Sequence, residues 1–464
     1  MAVEELTAVL LAGVGNRLSV LTEKTPKCLL PVANRPMIFY QLKWLEGAGI
    51  NNIIVVAVES SLQKISDYIN KVYDCPLDQN IEIVSQDMQS GSADALRMIK
   101  DKIKTDFMVM SCDLLCDIPP SVLIDSYRTL HSSATVLFYE RDSTSEQLRQ
   151  NQSEECVDIV GIDRKKSRLL MLLDRDNIRD ERISVSQKLI SKFPTIDLHS
   201  RLLDAHLYIF KRWVLDVLIQ RKSLSSIKED LLPLLIKSQL DSTKVFDSEE
   251  NAVYLQEPSP GMMSFIVSTT GAPSWITAPP YKAADAYSPE HRGMIGDTEE
   301  VSRWKQQVLC TSIVVGPKTD GIQHCSRANT LGTYLDTNLK LAKADHASFL
   351  SGRDAASSAT TPNTRQRSLS EVSAKTQIGG DSLVGDGCRI GDRCSVKRSV
   401  IGPHCTIGKN VKISDSVVME HCTIEDNVKL VGSIICSQAK IGEKCTLSYC
   451  DVASGFEVIS STQA

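Results

Sequence analysis

The residues of this chain best suited to phosphate chemistry are a pair of glycines followed by two cations. An apolar run, Thr7–Leu11, leads into Ala12-Gly13-Val14-Gly15-Asn16-Arg17-Leu18, and Thr25-Pro26-Lys27-Cys28-Leu29-Leu30-Pro31-Val32 follows. A glycine turn after a strand brings backbone N–H groups close to phosphate oxygens, and Arg17 and Lys27 can neutralise their charge. Gly-x-Gly alone equally serves a tight turn with no ligand, because glycine reaches positive φ at no steric cost. Asp113, just beyond the apolar run Phe107–Ser111, offers a carboxylate for a metal ion, but an aspartate at a strand end also forms turns and caps. The eight histidines show no metal-ligand spacing. His206, inside an apolar run, reads as a hydrogen-bonded core residue. Cys112 and Cys116 have no matching second pair, so zinc is not expected.

These groups need a scaffold, and the first half of the chain supplies an α/β pattern. Short apolar runs at Thr7–Leu11, Asn52–Val58, Ile81–Val84 and Phe107–Ser111 alternate with amphipathic stretches, as in a mostly parallel sheet covered by helices. Pro36 to Gly47 reads as a helix, with proline at its start and Gly47 and Gly49 at its stop. The expected domains are residues 1–342 and 376–457, joined by a linker at 343–375. Residues 257–297, rich in Pro, Ser, Ala and Thr, read as a mobile insertion in the first domain. Arg365-Gln366-Arg367-Ser368 in the linker is a candidate phosphorylation site.

The second domain carries the most regular pattern. Val384, Ile390 and Val396 are followed by Ile401, Ile407 and Ile413, then Val418, Ile424 and Leu430, then Ile435, Ile441 and Leu447. Six-residue steps grouped in threes, with each group starting seventeen after the last, describe triangular coils with one short strand per side. A coil buries its apolar column only against neighbouring coils, so a parallel β-solenoid of four to five coils is expected. Cys388, Cys394, Cys405, Cys422 and Cys445 each lie four residues after a column position. Val411, Val428 and Ala439 fill the equivalent slots, so the slot takes a small apolar side chain and the cysteines are reduced.

Composition sets the outer bounds. At 464 residues, 42% hydrophobic and 23% charged, the chain has the make-up of a globular protein. A net charge of −5 gives no electrostatic footprint for nucleic acid or an anionic membrane. No apolar run approaches the ~20 residues needed to span a bilayer. With fourteen cysteines spread over this length, a cytosolic protein with reduced thiols is expected.

The N-terminal loop resembles the signature of the sugar-nucleotide pyrophosphorylase family of nucleotidyltransferases, L-A-G-G-x-G-T-R-L followed by P-K-x-x-x-P-V. The resemblance implies a Rossmann-like nucleotidyltransferase sheet and, with the solenoid, a C-terminal left-handed parallel β-helix. It implies nucleotide-binding roles for Gly13, Gly15, Arg17 and Lys27, and a metal-binding role for Asp113 in Met110-Ser111-Cys112-Asp113. Gly91, in Gly91-Ser92-Ala93-Asp94-Ala95-Leu96, is similar to the family's G-T-A-x-A-L segment.

The departures from that pattern point to lost chemistry. The loop is one residue short and lacks a glycine, so it cannot present the same N–H donors. Cys112 replaces a glycine, and its side chain is expected to crowd a ligand. The family's D-x-G-T-P-x-x-Y motif has its counterpart in Asn329-Thr330-Leu331-Gly332-Thr333-Tyr334, with Thr330 at the position of the second metal aspartate. Losing one carboxylate weakens the Mg²⁺ charge stabilisation that phosphoryl chemistry needs. These positions are therefore expected to be vestigial, with no cofactor.

A degenerate site of this kind joined to a hexapeptide β-helix resembles the pyrophosphorylase-like subunits of eukaryotic translation initiation factor two-B. That likeness implies a non-catalytic subunit that pairs with an epsilon subunit and other subunits of the complex. It also implies a part in guanine nucleotide exchange on initiation factor two, without direct nucleic-acid or membrane contact. The epsilon subunit carries a helical catalytic domain after its solenoid, and no such domain is expected in the short stretch beyond Val452. Exchange chemistry is thus expected in the partner. The alternative is an active nucleotidyltransferase that makes a nucleotide-sugar from a nucleoside triphosphate and a sugar phosphate.

Overall fold

The computed structural model describes residues 6–73, 79–87, 90–140, 158–163, 167–173, 185–240, 308–316, 325–343, 371–373 and 375–463. The insertion expected at 257–297, most of the linker and Ser368 lie outside the described residues.

Strand β1 (Thr7–Ala12) is apolar on both faces, as a central parallel strand must be when helices cover both sides of its sheet. It is followed by β2 (Asn52–Val58), β3 (Asn80–Gln86) and β4 (Phe107–Ser111), so all four runs read as strands are strands. With β5 (Leu114–Cys116), β6 (Ala134–Glu140), β7 (Leu202–Phe210), β8 (Cys310–Val315) and β9 (Cys325–Arg327), the first domain is complete enough to place its site. The main sheet has the order β8-β6-β7-β4-β1-β2-β3. Every neighbouring pair is parallel except those made by β7, which runs against both β4 and β6. Alternation along β1 divides the core: Ala8 and Leu10 pack on one face with Val55 and Met110, Val9 on the other with Val56 and Phe107.

Helix α1 (Met37–Gly47) begins directly after Pro36. It stops because Gly49 adopts φ +69°, letting Gly49 and Ile50 return hydrogen bonds to Glu46 and Leu45. Helix α2 (Ser92–Met98) and helix α3 (Leu331–Lys343) flank the site described below.

The solenoid has the triangular form read from the repeat. Three parallel sheets of six, five and five short strands stack along it. From Leu383 onward each position pairs with the one seventeen residues on, as Val400 does with Val417 and Val417 with Ile434, while Glu371 and Gln377 pair eighteen on, with Arg389 and Ser395. The first pairing is made by Glu371–Val372 on Arg389–Ile390, inside the stretch read as linker. The column residues and the cysteines four places after them form one continuous buried core. Each thiol also donates to a carbonyl fourteen residues on: Cys388 to Gly402, Cys394 to Gly408, Cys405 to Met419 and Cys422 to Cys436 at 3.0 Å, and Cys445 to Ile459 at 3.1 Å. A second buried row, Ser399, Ser416 and Ser433, lies at one corner. Each hydroxyl there accepts the N–H of the residue one coil further on, namely Ser416, Ser433 and Cys450. Each hydroxyl also donates to the carbonyl two residues back, of Lys397, Ser414 and Val431, so valine at those corners would take a donor from that carbonyl and leave the N–H without its acceptor.

One side of the triangle is apolar outside as well as inside. Leu383, Val400, Val417 and Ile434 point away from the solenoid core yet are buried, because they pack on Tyr334, Leu335 and Leu339 of α3 and on Leu18, Leu21 and Val32 of the first domain. Polar contacts pin the join. Asn34 donates to the Ile401 carbonyl at 2.9 Å, and Lys24 to that of Ser454 at 3.1 Å. Asn34 is presented by a two-residue hairpin turn in which both Ala33 and Asn34 take positive φ, as a primed turn requires.

Candidate functional site

Asp113 follows β4, at the carboxyl end of the central strands, where open α/β sheets bind their ligands. Its carboxylate is 1% exposed and is held by two cations. Lys27 Nζ donates to Oδ2 at 2.5 Å, while Arg327 grips both oxygens, Nε to Oδ1 at 3.1 Å and a terminal nitrogen to Oδ2 at 2.9 Å. The backbone closes the same junction, since Ala328 N–H donates to the Asp113 carbonyl at 2.9 Å. Burial by itself raises a carboxyl pKa, but Arg327 and then Lys27 outweigh it and hold Asp113 well below the usual carboxylate range. Asp113 is thus an anion with every oxygen engaged by protein.

Gly15 and Lys27 come together with this aspartate. Gly15 has φ +82° and starts the single turn Asn16–Leu18, with Leu18 N–H donating to its carbonyl at 2.8 Å. A Cβ at residue 15 would lie 3.1 Å from the Lys27 side chain, so the glycine gives the lysine its path to Asp113. Gly13 is exposed with open space around it. Arg17 is exposed and makes no ion pair among the described residues. The Cys112 thiol does not crowd a ligand as expected. It is buried in the core cluster that also holds Cys28.

Gly91 has a structural duty of its own. The start of α2 is pressed against the chain at Ser225, whose carbonyl accepts the Ala93 N–H at 2.9 Å, while Asp94 accepts the Gly91 N–H at 3.0 Å. Two donors that could meet a phosphate are therefore already used. A Cβ at residue 91 would stand 2.1 Å from the Ser225 oxygen, a backbone atom that cannot swing away. Gly91→Ala is expected to cost about 2–3 kcal/mol by overpacking, read as a lowered urea midpoint. A change within about 0.5 kcal/mol would mean the two segments are free to part.

Thr330 caps α3. Its Oγ1 accepts the Thr333 N–H at 3.2 Å, and Thr333 Oγ1 accepts the Thr330 N–H at 3.0 Å, a reciprocal pair that satisfies two donors at the helix start. The donor set does not suit Mg²⁺, because the one carboxylate carries two cations and the second position is a hydroxyl engaged in a cap.

Three further groups border the site. Asp204 and Tyr208 share a 2.6 Å hydrogen bond, and Asp204 also accepts the His206 N–H at 2.8 Å, at an irregularity in β7 where His206 takes φ +51°. Burial, followed by the charge on Arg327, pushes the His206 imidazole well below its ordinary range, so it is held neutral. Sequence reasoning missed Arg327. Nothing local marks it, because its partner is 214 residues away.

A nucleotidyltransferase-like α/β sheet with a left-handed parallel β-helix docked on it is the class of protein that this fold and site define. Residues 7–147 match the family model for nucleotidyl transferase, and residues 363–463 match that for the LbH domain of the EIF2B epsilon subunit. The gamma subunit of translation initiation factor eIF2B from Schizosaccharomyces pombe is 30% identical over 395 residues, 84% of this chain and 74% of that one. Its counterpart from Dictyostelium discoideum is 28% identical, with 83% of each chain covered. A mannose-1-phosphate guanyltransferase of Candida albicans is 25% identical over 50% of this chain and 56% of its own. The chain belongs to the family of the eIF2B gamma subunit and is a translation initiation factor subunit, part of a multi-subunit complex. No described helix is long and apolar enough to cross a membrane.

Proposed function

We propose that this chain is a non-catalytic subunit that supports an epsilon subunit in GDP/GTP exchange on initiation factor two, within the cytosol. The observation that carries the absence of nucleotidyl transfer is the pairing of Asp113 with both Lys27 and Arg327. In a pyrophosphorylase that carboxylate faces a metal ion, whereas here the half-buried Arg327 guanidinium supplies the neutralising charge permanently. Gly13, Gly15, Arg17, Lys27, Gly91 and Asp113 are then vestigial nucleotide-binding positions, and Thr330 marks the place of the lost second ligand. What remains for the chain is presentation of surface. The β-helix is fixed on the sheet domain through a continuous apolar cluster, so the two units offer one shape to partners.

Two measurements test this reading. The purified chain, incubated with Mg²⁺, each nucleoside triphosphate and sugar phosphates, is expected to release no pyrophosphate above a blank. Robust turnover would establish the nucleotidyltransferase alternative. Affinity purification from cells is expected to bring down an epsilon-type subunit in stoichiometric amount, and recovery of the chain alone would refute the assembly role.

A further inference from the structure

We infer that Cys116 and Cys325 are a built thiol pair that closes to a disulfide in the presence of glutathione disulfide and so staples β5 to β9. The two residues face each other directly in the antiparallel register of these strands, Cys325 on Cys116, Ser326 on Leu115 and Arg327 on Leu114. The hydrogen bond from Ala328 N–H to the Asp113 carbonyl identifies the next pair along, 113 with 328, as hydrogen-bonded. Alternation along an antiparallel ladder then makes Cys116 and Cys325 a non-hydrogen-bonded pair, the kind whose Cα atoms stand about 4.5 Å apart with side chains closest. That separation falls in the range a disulfide spans, about 4.4–6.8 Å. Both thiols are free and half-buried, and they lie within hydrogen-bonding reach of one another.

Cys388, Cys405 and Cys422 also stand within reach of one another on successive coils, but they are fully buried in the β-helix core, where glutathione cannot reach them, and each donates to a carbonyl on the next coil. In the ribbon, Arg327 stands two residues from Cys325 and therefore on the same face. A covalent bond there fixes the strand that delivers Arg327 to Asp113.

Exchange can start at either thiol, here taken as Cys325. Its thiolate breaks the glutathione disulfide bond, forms a mixed disulfide and releases one glutathione thiolate. Cys116 gives up its proton and attacks the Cys325 sulfur, releasing the second glutathione. Two protein thiols are oxidised and one glutathione disulfide is reduced to two glutathiones.

The test uses the full-length chain, held in reduced glutathione or in glutathione disulfide, then alkylated, digested without reductant and analysed by mass spectrometry. The peptide pair joined through Cys116 and Cys325 is expected to be at least about tenfold more abundant in the oxidised sample and to vanish with dithiothreitol. Oxidation is expected to raise the urea midpoint of the native sequence and to leave that of Cys116→Ser unchanged. Two thiols still free, two separate glutathione adducts, or a link from either residue to another cysteine would each overturn the proposal. So would a lower urea midpoint in the linked form, because the bond would then be forcing the strands out of place.

Discussion

Asp113→Asn is expected to lower stability by about 3–5 kcal/mol at pH 7, the range for breaking a buried ion pair from one side. Two cations, Lys27 and Arg327, converge on that carboxylate, and their side chains are each 14% exposed. With asparagine in its place they face each other across a neutral group and repel. Arg327→Leu should cost less than Asp113→Asn, because Lys27 still neutralises the aspartate. Combining both changes should recover part of the loss of Asp113→Asn alone, since only one cation is then left. Urea denaturation of the four proteins measures the coupling, and simple additivity would show that Arg327 and Asp113 act independently. The sign with pH follows from the depressed carboxyl. Its folded value lies well below the unfolded one, near 3.9. The stabilisation is therefore complete above about pH 4 and is lost as pH falls further. Between pH 7 and 3 the native sequence should lose more stability than Asp113→Asn does.

Val417→Asp is the second change expected to have a large effect. Val417 lies in the middle of the outward apolar row, between Val400 and Ile434, and meets the first domain within one apolar cluster. An aspartate there is either buried without a partner, costing several kcal/mol, or drives the β-helix off the sheet domain. The expected result is separation of the two units: calorimetry should show two transitions where the native chain shows one, and a protease should cut between them. Lys412 provides the control, since it is on another side of the triangle and exposed. Lys412→Asp should stay within about 0.5 kcal/mol of the native sequence. A single unchanged transition in Val417→Asp would mean that the apolar row does not hold the units together.

Legibility of the structure from sequence followed the range of the forces involved. The inner column and the five cysteine slots were readable because every coil repeats the same environment at a fixed interval. The docking side was written in the same stretch and went unread. Val400-Ile401, Val417-Val418 and Ile434-Ile435 are apolar doublets, whereas Arg389-Ile390 and Thr406-Ile407 on a solvent side have only the inward residue apolar. Two apolar neighbours on a strand mean both faces are covered, so the doublets announce a partner layer. Arg327 could not be read in this way, because an ion pair between distant segments leaves no periodic trace. Thr330 was placed by its motif as a missing ligand, but its hydroxyl has work as a cap, and a cap needs only its own helix. Gly91 was placed by likeness to a nucleotide-binding segment, while its contact with Ser225 is a packing constraint that sequence order does not reveal.

The serine corner, the cysteine slots and the outward apolar row all recur at one interval. Within its strands the β-helix can therefore change length only in whole turns, and the one extra residue of the first coil is taken up between Ile378 and Leu383, at a corner. Removing seventeen residues joins like to like and leaves all three sides aligned. Removing sixteen or eighteen with the cut inside a strand rotates everything beyond it, turning inward residues out and breaking the row that meets α3. Divergence among relatives of this chain should thus be quantised in this domain, with insertions of arbitrary size confined to the corners, where a loop can leave and return without altering the register.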